Sequence, residues 1–400
     1  MIPVARLFVL LGVLVVLAAA GCGGAERKGA AGSVVVRDSA GVEIVESAGP
    51  VWGEDDGWRV ADAPVLRMGD LAASDDPSRQ FYRVAFGVWL GPDRFAVTNL
   101  GTELRIYTLD GGLVRTLGGE GEGPGEFGFL IVVGRRNGEL VLADAGETSP
   151  RRLTVMDTTG RVLETVRAAP GAWLRGDLVD DSTMVGRRYG FPGGPEDGRA
   201  HDTVVAVDVR TGEPRPLATT PGTPLAWTER QGRPFTSGSL RFGPASAVAG
   251  GHGRIVYGSG DRYELREVDA SGTLLRIVRR PVAALPVTDE LREPVLRRWR
   301  EGGGDPLTRP QFADSVAHFL DLLVDDTDHL WVQRRAILGP HREWDVFDRG
   351  RRWLGTVVLP EELEVLAVSA THLLGVSTNE LDIEIVEVYE IDKGTAARDD

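Results

Sequence analysis

The chain has 400 residues and a formal net charge of −14, from 45 Lys and Arg against 59 Asp and Glu. Such an acidic surface repels phosphate groups, which argues against DNA, RNA or anionic lipid surfaces as partners. With 42% hydrophobic residues, the composition is that of a globular protein rather than a disordered one. The single cysteine, Cys22, excludes an intramolecular disulfide framework.

The first residues along the chain predict export. Residues 7–20 form an uninterrupted apolar run that is shorter than the about 20 residues of a membrane span. The run ends in AAGC at 19–22, which resembles the lipobox of bacterial lipoproteins, whose Cys becomes acylated. We therefore predict a signal peptide over 1–21, lipidation of Cys22, a flexible tether over 22–33, and a lipid-anchored location in the cell envelope, periplasmic or outer-membrane associated. The alternative is an ordinary cleaved signal peptide with a chance cysteine.

Beyond this segment, one short phrase recurs six times: an alternating apolar strand, an Asp, turn residues with Gly, and usually a second strand. The aligned acids, 44 to 79 residues apart, are Asp110, Asp157, Asp208, Asp269, Asp348 and Asp392. A β-rich unit repeated at roughly 40–50 residues is typical of a β-propeller, because one blade cannot bury its own faces. Asp and Gly suit a tight turn, so each phrase is assigned to the two outer strands, c and d, of a four-stranded blade.

A second strand pair precedes each phrase and supplies the two inner strands, a and b. Period-2 alternation and turn residues place these hairpins at 84–99, 129–144, 173–188, 245–259, 320–335 and 363–378. No strand d follows Asp392, whereas residues 64–69 resemble one. We therefore predict an all-β, six-bladed β-propeller of four-stranded antiparallel blades, closed by this N-terminal strand, in a single domain over 34–394. The hairpin-like segment 34–47 leaves seven blades as the alternative.

Two long connections interrupt the repeat. Residues 221–242 lengthen the passage from the third blade to the fourth, and residues 287–319 lengthen the passage from the fourth to the fifth. In the second connection we predict a small helical insertion, with Pro294 in the first turn of one helix and Pro310 opening another.

Four motifs carry a resemblance to a known family. They are GGEGEGPGEF at 118–127, DSAGVEIVES at 38–47, ELRIY at 103–107 and DDTDHLWV at 325–332. Together, over roughly residues 34–392, they resemble the six-bladed β-propeller lipoproteins of bacteria, which are similar in architecture to NHL-repeat and TolB-like propellers. The resemblance implies the fold and an envelope location, and it implies no established activity.

Propeller ligands tend to bind at the mouth of the central channel, on the face that carries the b–c and d–a connections. The residues there that we predict to contact a ligand are Asn99, Asp144, Arg187, Arg188, Tyr189, Arg334 and Arg335. Arg presents a planar fork suited to carboxylate, and Tyr can stack on a sugar, so a glycan, a peptide or an envelope protein would fit. The alternative is that these Arg side chains bridge to acids on neighbouring blades.

The remaining motifs are interpreted structurally. The His residues lack zinc-binding spacing, and there is no Gly-x-Ser-x-Gly elbow. The glycine-rich block at 118–125 is interpreted as a tight crossover with Phe127 wedged between blades, the alternative being an anion-binding loop. The acidic runs at 180–181 and 325–328 are interpreted as solvated a–b turns. The alternative at these turns is a calcium site, which no further motif supports, and we predict no cofactor.

The sequence as a whole favours a monomeric, membrane-anchored ligand-binding or protein-interaction scaffold over an enzyme. The alternative is a hydrolase or lyase with its active site at the mouth of the channel. Such an enzyme would need convergent acids or histidines at the inner ends of several blades, whereas a binding module would present aromatic and Arg side chains on one face.

Overall fold

The computed structural model describes residues 34–53, 56–69, 76–145, 150–169, 176–335, 341–360 and 362–394. Strands within these segments are numbered in chain order. Four precede the first blade: β1 (Val34–Ser39), β2 (Val42–Ser47), β3 (Arg59–Val60) and β4 (Leu66–Met68). The first blade is β5 (Gly87–Trp89), β6 (Arg94–Asn99), β7 (Glu103–Thr108) and β8 (Leu113–Gly118). The second is β9 (Leu130–Arg136), β10 (Glu139–Ala145), β11 (Pro150–Met156) and β12 (Val162–Arg167).

The later blades follow the same order. The third is β13 (Gly176–Leu178), β14 (Thr183–Arg188), β15 (His201–Asp208) and β16 (Pro214–Pro221), followed by the hairpin β17 (Leu225–Arg230) and β18 (Arg233–Ser239). The fourth is β19 (Ser246–Gly251), β20 (Arg254–Ser259), β21 (Glu264–Asp269) and β22 (Leu274–Arg279). The fifth is β23 (Phe319–Val324), β24 (Leu330–Arg334), β25 (His341–Phe347) and β26 (Trp353–Pro360). The sixth begins with β27 (Glu364–Val368), β28 (His372–Thr378) and β29 (Glu384–Asp392).

The sixth blade takes its outer strand from the N-terminal part of the chain. β4 pairs antiparallel with β29, with Leu66 opposite Val388 and Met68 opposite Val386. β3 pairs with the last two residues of the same strand. The other blades each take their four strands from consecutive positions in the chain. The predicted six-bladed propeller and its closing strand are therefore confirmed.

The repeated Asp forms each outer hairpin by capping its own turn. Asp157 Oδ1 accepts the N–H of Thr159 at 2.9 Å and that of Arg161 at 3.0 Å. Asp269 does the same for Ser271 and Thr273. These carboxylates satisfy turn N–H groups that the strands leave unpaired, so the turn is specified locally.

The hydrophobic core lies between adjacent blades. Phe127, in the crossover from β8 to β9, is fully buried between the first two blades with Leu104 and Leu140. Near the axis the inner strands approach closely. At Gly250 of β19, a Cβ atom would lie 2.7 Å from the Val185 side chain, so only glycine permits this spacing.

The N-terminal hairpin does not build a seventh blade. β2 pairs in parallel with β22, the outer strand of the fourth blade, which makes a six-stranded sheet. Arg276 of β22 binds Glu43 of the hairpin and the buried Glu267 of β21. The hairpin thus extends the fourth blade at β22 and does not form a blade of its own, so the seven-blade alternative is wrong.

The two insertions differ from their predicted form in detail. The first contains the hairpin β17–β18, and the second contains the helix α1 (Asp289–Glu301). Pro294 lies inside α1 rather than in its first turn, because the helix begins earlier, with Asp289 and Glu290 suited to its positive N-terminal end. The second predicted helix is wrong: residues after Pro310 are extended and form isolated bridges at Phe312 and Ser315.

Met68 tests the closing strand. Its side chain is 2% exposed and packs with core residues of the first and sixth blades. We expect Met68→Ala to lower the free energy of unfolding in urea by about 2–5 kcal/mol, because it leaves a cavity where the ring closes. Val65→Ala, at a neighbouring side chain that is 51% exposed, is the matched control and should stay within about 0.5 kcal/mol of wild type. Equal losses for the two variants would contradict a core position for β4.

Candidate functional site

A central channel of ≈ 1570 Å³ runs between the inner strands β5, β9, β13, β19, β23 and β27. We call the end with the b–c and d–a connections the upper face, and the end with the a–b and c–d turns the lower face. Small and apolar side chains such as Val88, Val248 and Ala367 form much of the wall, and charged groups lie towards both ends.

Arg187 and Tyr189, two of the predicted ligand contacts, line the upper end of the channel. Arg187 donates to Ser246 Oγ at 2.9 Å and to the Tyr189 hydroxyl at 2.5 Å. Ser246 donates to Asp202 Oδ2, and Asp202 Oδ1 accepts the N–H of Gly190 at 2.9 Å. This chain of hydrogen bonds joins the third and fourth blades and fixes Arg187 beside the Tyr189 ring, with its guanidinium carbon 4.5 Å from the ring centre.

Asn99 and Asp144 are buried and bind backbone groups rather than lining the channel. Asn99 Oδ1 accepts the N–H of Tyr82 at 2.9 Å. Asp144 Oδ1 accepts the N–H groups of Gly128 and Phe129 at 2.9 and 3.1 Å. Each side chain attaches a d–a crossover to the strand b that follows it. Asn99 and Asp144 therefore do not join Arg187 at the wall of the channel.

The three other predicted contacts lie apart from one another. Arg188 is exposed on the upper face. Arg334 forms an ion pair with Glu343 across β24 and β25 at 2.6 Å. Arg335 is half-buried, with its guanidinium carbon 5.3 Å from the centre of the Phe242 ring. The role of these residues in ligand binding stays a prediction, and Cys22 lies outside the described residues.

Exposed apolar side chains concentrate on the upper face. Of twelve large ones among the described residues, seven belong to b–c or d–a connections: Tyr82, Leu100, Phe191, Phe235, Val282, Leu285 and Leu381. The other five lie on or beside outer strands: Val65, Leu113, Val114, Leu163 and Val358. Phe191 is 81% exposed and Leu381 is 75% exposed. Within the described residues, the a–b and c–d turns of the lower face carry none.

A half-buried acid lines the channel. Asp177 of β13 accepts the N–H of Gly250 at 3.0 Å through Oδ2. Burial raises the pKa of the Asp177 carboxyl to about 7; the Gly250 hydrogen bond opposes the rise, and the charge of Asp321 adds to it. Asp177 can therefore exchange a proton near neutral pH.

The acidic run at the lower end of the channel is not the solvated turn that the sequence suggested. Asp325 is 2% exposed, because its side chain accepts from the backbone N–H groups of Thr327 and His329 and from Trp331 Nε1 at 3.0 Å. It lines the channel together with Asp326. Sequence alone does not reveal this burial, because the capping groups are the same as those of an exposed turn.

Titratable groups from separate elements converge around Asp326. Burial raises the pKa of Asp326, as does the charge of Asp325, while Lys393, His252 and Arg135 oppose the rise. Burial lowers the pKa of Lys393, although both carboxylates act against this. Lys393 is the single lysine of the described residues, and its rarity among so many arginines is the one sequence signal that could have found it.

Within the described part of the chain, no group of three or more His, Cys, Asp or Glu side chains is placed to hold a metal ion. Over the same residues, no helix combines the length and the apolar character needed to span a membrane.

Asp177→Asn tests the protonation of this carboxyl. The folded protein keeps the proton up to a pH of about 7, whereas the unfolded chain loses it at about pH 4, so wild-type stability falls by about 1.4 kcal/mol per pH unit between these values. The variant lacks this fall, and its free energy of unfolding should rise relative to wild type from pH 4 to pH 7 in urea titrations. Asp181→Asn, on the exposed a–b turn of the same blade, should follow wild type. Parallel curves for wild type and Asp177→Asn would rule out a raised pKa.

No protein-family model matches this sequence, and no curated protein does. Among solved structures, the chain is similar to a member of the DUF4221 family from Bacteroides vulgatus, at 11% identity and a TM-score of 0.49, over 85% of this chain and 99% of that one. It is similar to a protein from Bacteroides fragilis at 11% identity and a TM-score of 0.47, over 85% and 96% of the chains. It is also similar to BamB from Moraxella catarrhalis at 10% identity and a TM-score of 0.34, over 84% and 94%. Likenesses this distant say nothing about the function of this chain.

Proposed function

We propose that this chain is a lipid-anchored binding protein of the bacterial cell envelope, and that it holds a protein partner on the upper face of its propeller. The observation that supports this most directly is the one-sided distribution of exposed apolar side chains. Large apolar patches on soluble proteins commonly mark interaction sites, and aromatic and Arg side chains are enriched at interfaces. A rigid ring that presents variable loops suits such a scaffold role.

Part of this apolar surface lies where the first and sixth blades meet. The N–H of Leu100 donates to the carbonyl of Tyr82 at 2.6 Å, which holds the two exposed side chains on adjacent connections. The N–H of Val84 donates to Glu384 Oε2 at 2.9 Å, which ties the same crossover to β29, whose preceding connection carries Leu381. A partner seated here would cover apolar groups that the propeller itself leaves in water, and burial of such groups favours binding by about 25 cal/mol per Å².

The membrane anchor in this proposal rests on the sequence. Residues 7–20 and the AAGC ending at 19–22 fit a lipoprotein signal, and each buried CH₂ of an attached lipid contributes about 0.8 kcal/mol to membrane binding. Val34, where the described part of the chain begins, lies on β1 at the outer edge of the fourth blade. The tether would therefore join the propeller at its rim.

A hydrolase or lyase is the second candidate, and one observation favours it: Asp177 has a pKa near neutral pH, as a general acid or base requires. Within the described residues, however, no histidine or second acid is hydrogen-bonded to Asp177. A proton-transfer group with no orienting partner is a weak basis for catalysis. Binding therefore remains the better supported function.

Site-specific photocrosslinking in the native cell tests the interaction face. We expect a photoreactive phenylalanine analogue at Phe191 or Leu381 to give a discrete protein adduct, since both side chains are highly exposed on the proposed face. The matched controls are Thr158 and Arg210, which are exposed on c–d turns of the lower face and should give none. Adducts of equal yield from both faces would overturn the proposed face. No protein adduct from the upper face would point to a glycan or small ligand instead.

Cys22→Ser tests the anchor. Without the thiol no lipid can be attached, so we expect the variant to move from the membrane fraction to the soluble fraction after cell lysis. Gly24→Ser, two residues further on, is the control and should stay with the membranes. A Cys22→Ser protein that still sediments with membranes would show that acylation is not what holds it there.

A further inference from the structure

The two insertions pack on each other and make a small cap on the upper face. An isolated parallel bridge joins Arg241 to Phe312, and Gln311 Nε2 donates to the carbonyl of Trp227 at 2.5 Å. The rings of Phe242 and Phe312 stack, with their centres 6.2 Å apart and a 20° angle between planes. Both rings are half-buried. The cap therefore has a defined aromatic surface, built from both d–a connections that the sequence shows to be long.

One guanidinium group lies over this aromatic surface, and a second arginine stands beside it in the chain. Arg335, which follows β24, lies over the Phe242 ring at 5.3 Å, and Arg241 is the chain neighbour of Phe242. Burial lowers the pKa of Arg335, and the positive charge of Arg241 lowers it further. Stacking on phenylalanine offsets part of this effect.

Neither guanidinium has a counter-charge. Within the described residues, no hydrogen bond or ion pair reaches the side chain of Arg241 or Arg335, although Arg334 next to them is paired with Glu343 at 2.6 Å. Arg335 is half-buried, and a half-buried cation without a partner is unfavourable; the charge of Arg241, whose side chain is exposed, adds to that cost. An anion placed between them would relieve both costs at once.

We propose that Arg241 and Arg335 form a carboxylate-binding site, and that its occupant is an acidic peptide segment of the partner protein, with an apolar neighbour of the acid resting on Phe242. This rests on the function proposed above. The planar fork of Arg matches a carboxylate in two parallel hydrogen bonds. Phosphate-rich polymers and anionic membranes are disfavoured, because the chain as a whole carries a net charge of −14.

Peptide selection on the detergent-solubilised full chain tests the site. We expect a random 12-residue peptide library to yield sequences that combine Asp or Glu with an aromatic or aliphatic residue. The selected peptide should bind at least tenfold more weakly to Arg241→Gln/Arg335→Gln than to wild type. A peptide in which its acids are replaced by the corresponding amides should show the same loss in binding to wild type. Rising salt should weaken wild-type binding, because charge attraction is screened.

The matched control is Arg230→Gln/Arg233→Gln, which removes the same charge from exposed positions on the β17–β18 hairpin and should leave binding unchanged. Arg335→Lys keeps the charge but loses the fork, so it should bind several-fold more weakly even if the double variant misfolds. The proposal would be overturned if the library yielded uncharged peptides, or if the control variant lost as much binding as Arg241→Gln/Arg335→Gln. It would also be overturned if inorganic phosphate bound at the site and no acidic peptide did. Crosslinks at Phe191 and Leu381 would then still stand, so this site can fail without the proposed function failing.

Discussion

The antiparallel pairing of β4 with β29 is the contact on which the ring depends. A propeller buries its sheet faces only when every blade has two neighbours, so an incomplete last blade would leave an edge and a core face in water. The pairing also buries a charge: Glu387 is 3% exposed, binds Arg67 of β4 and accepts from Ser377 at 2.9 Å. Losing the closing strand would leave that carboxylate short of donors as well as exposing the core.

Closure also sets the path of the N-terminal segment. Because β1 and β2 lie on the fourth blade and β4 lies on the sixth, the residues between them must cross the fifth. They do so along its outer strand, where the N–H groups of Val51 and Trp52 donate to the carbonyls of Trp353 and Leu354 at 3.0 and 2.8 Å. The Trp52 ring covers Gly355, where a Cβ atom would lie only 2.3 Å away. One stretch of chain thereby contributes strands or backbone hydrogen bonds to the outer sides of three consecutive blades.

Features decided by local chemistry were predictable from the sequence, and features decided by distant contacts were not. The turns at Asp157 and Asp269 are capped from within a few residues, so the blades could be counted without any knowledge of their neighbours. The hairpin at 34–47 was visible as a hairpin, but nothing in it specifies β22 as its parallel partner. The same limit holds for Asn99. Its polar side chain suits a binding site, but in the fold it accepts the backbone N–H of Tyr82, a partner that the sequence does not identify.

The candidate site shows this limit most clearly. Arg335 could be named from its position at the start of a b–c connection, but its neighbours Arg241 and Phe242 lie nearly a hundred residues earlier in the chain. They reach it only because the two insertions, which look unrelated in sequence, stack through Phe242 and Phe312. A contact of that kind depends on tertiary packing and leaves no periodic signal.

Charge pairing separates the part of the molecule that holds the fold from the part that is open to a ligand. Between the fourth and fifth blades, Arg351 and Glu267 are both fully buried and bound to each other, and Glu267 also accepts from Arg276 at 2.8 Å. An internal network like this is tolerated because its members are satisfied. A chain with 59 acidic residues has acids in abundance, so the unpaired guanidiniums of Arg241 and Arg335 do not reflect a shortage of partners. A position where the described residues supply two positive charges and no paired acid is the place where an external carboxylate gains most, which is why the proposed site lies on the upper face rather than in the channel.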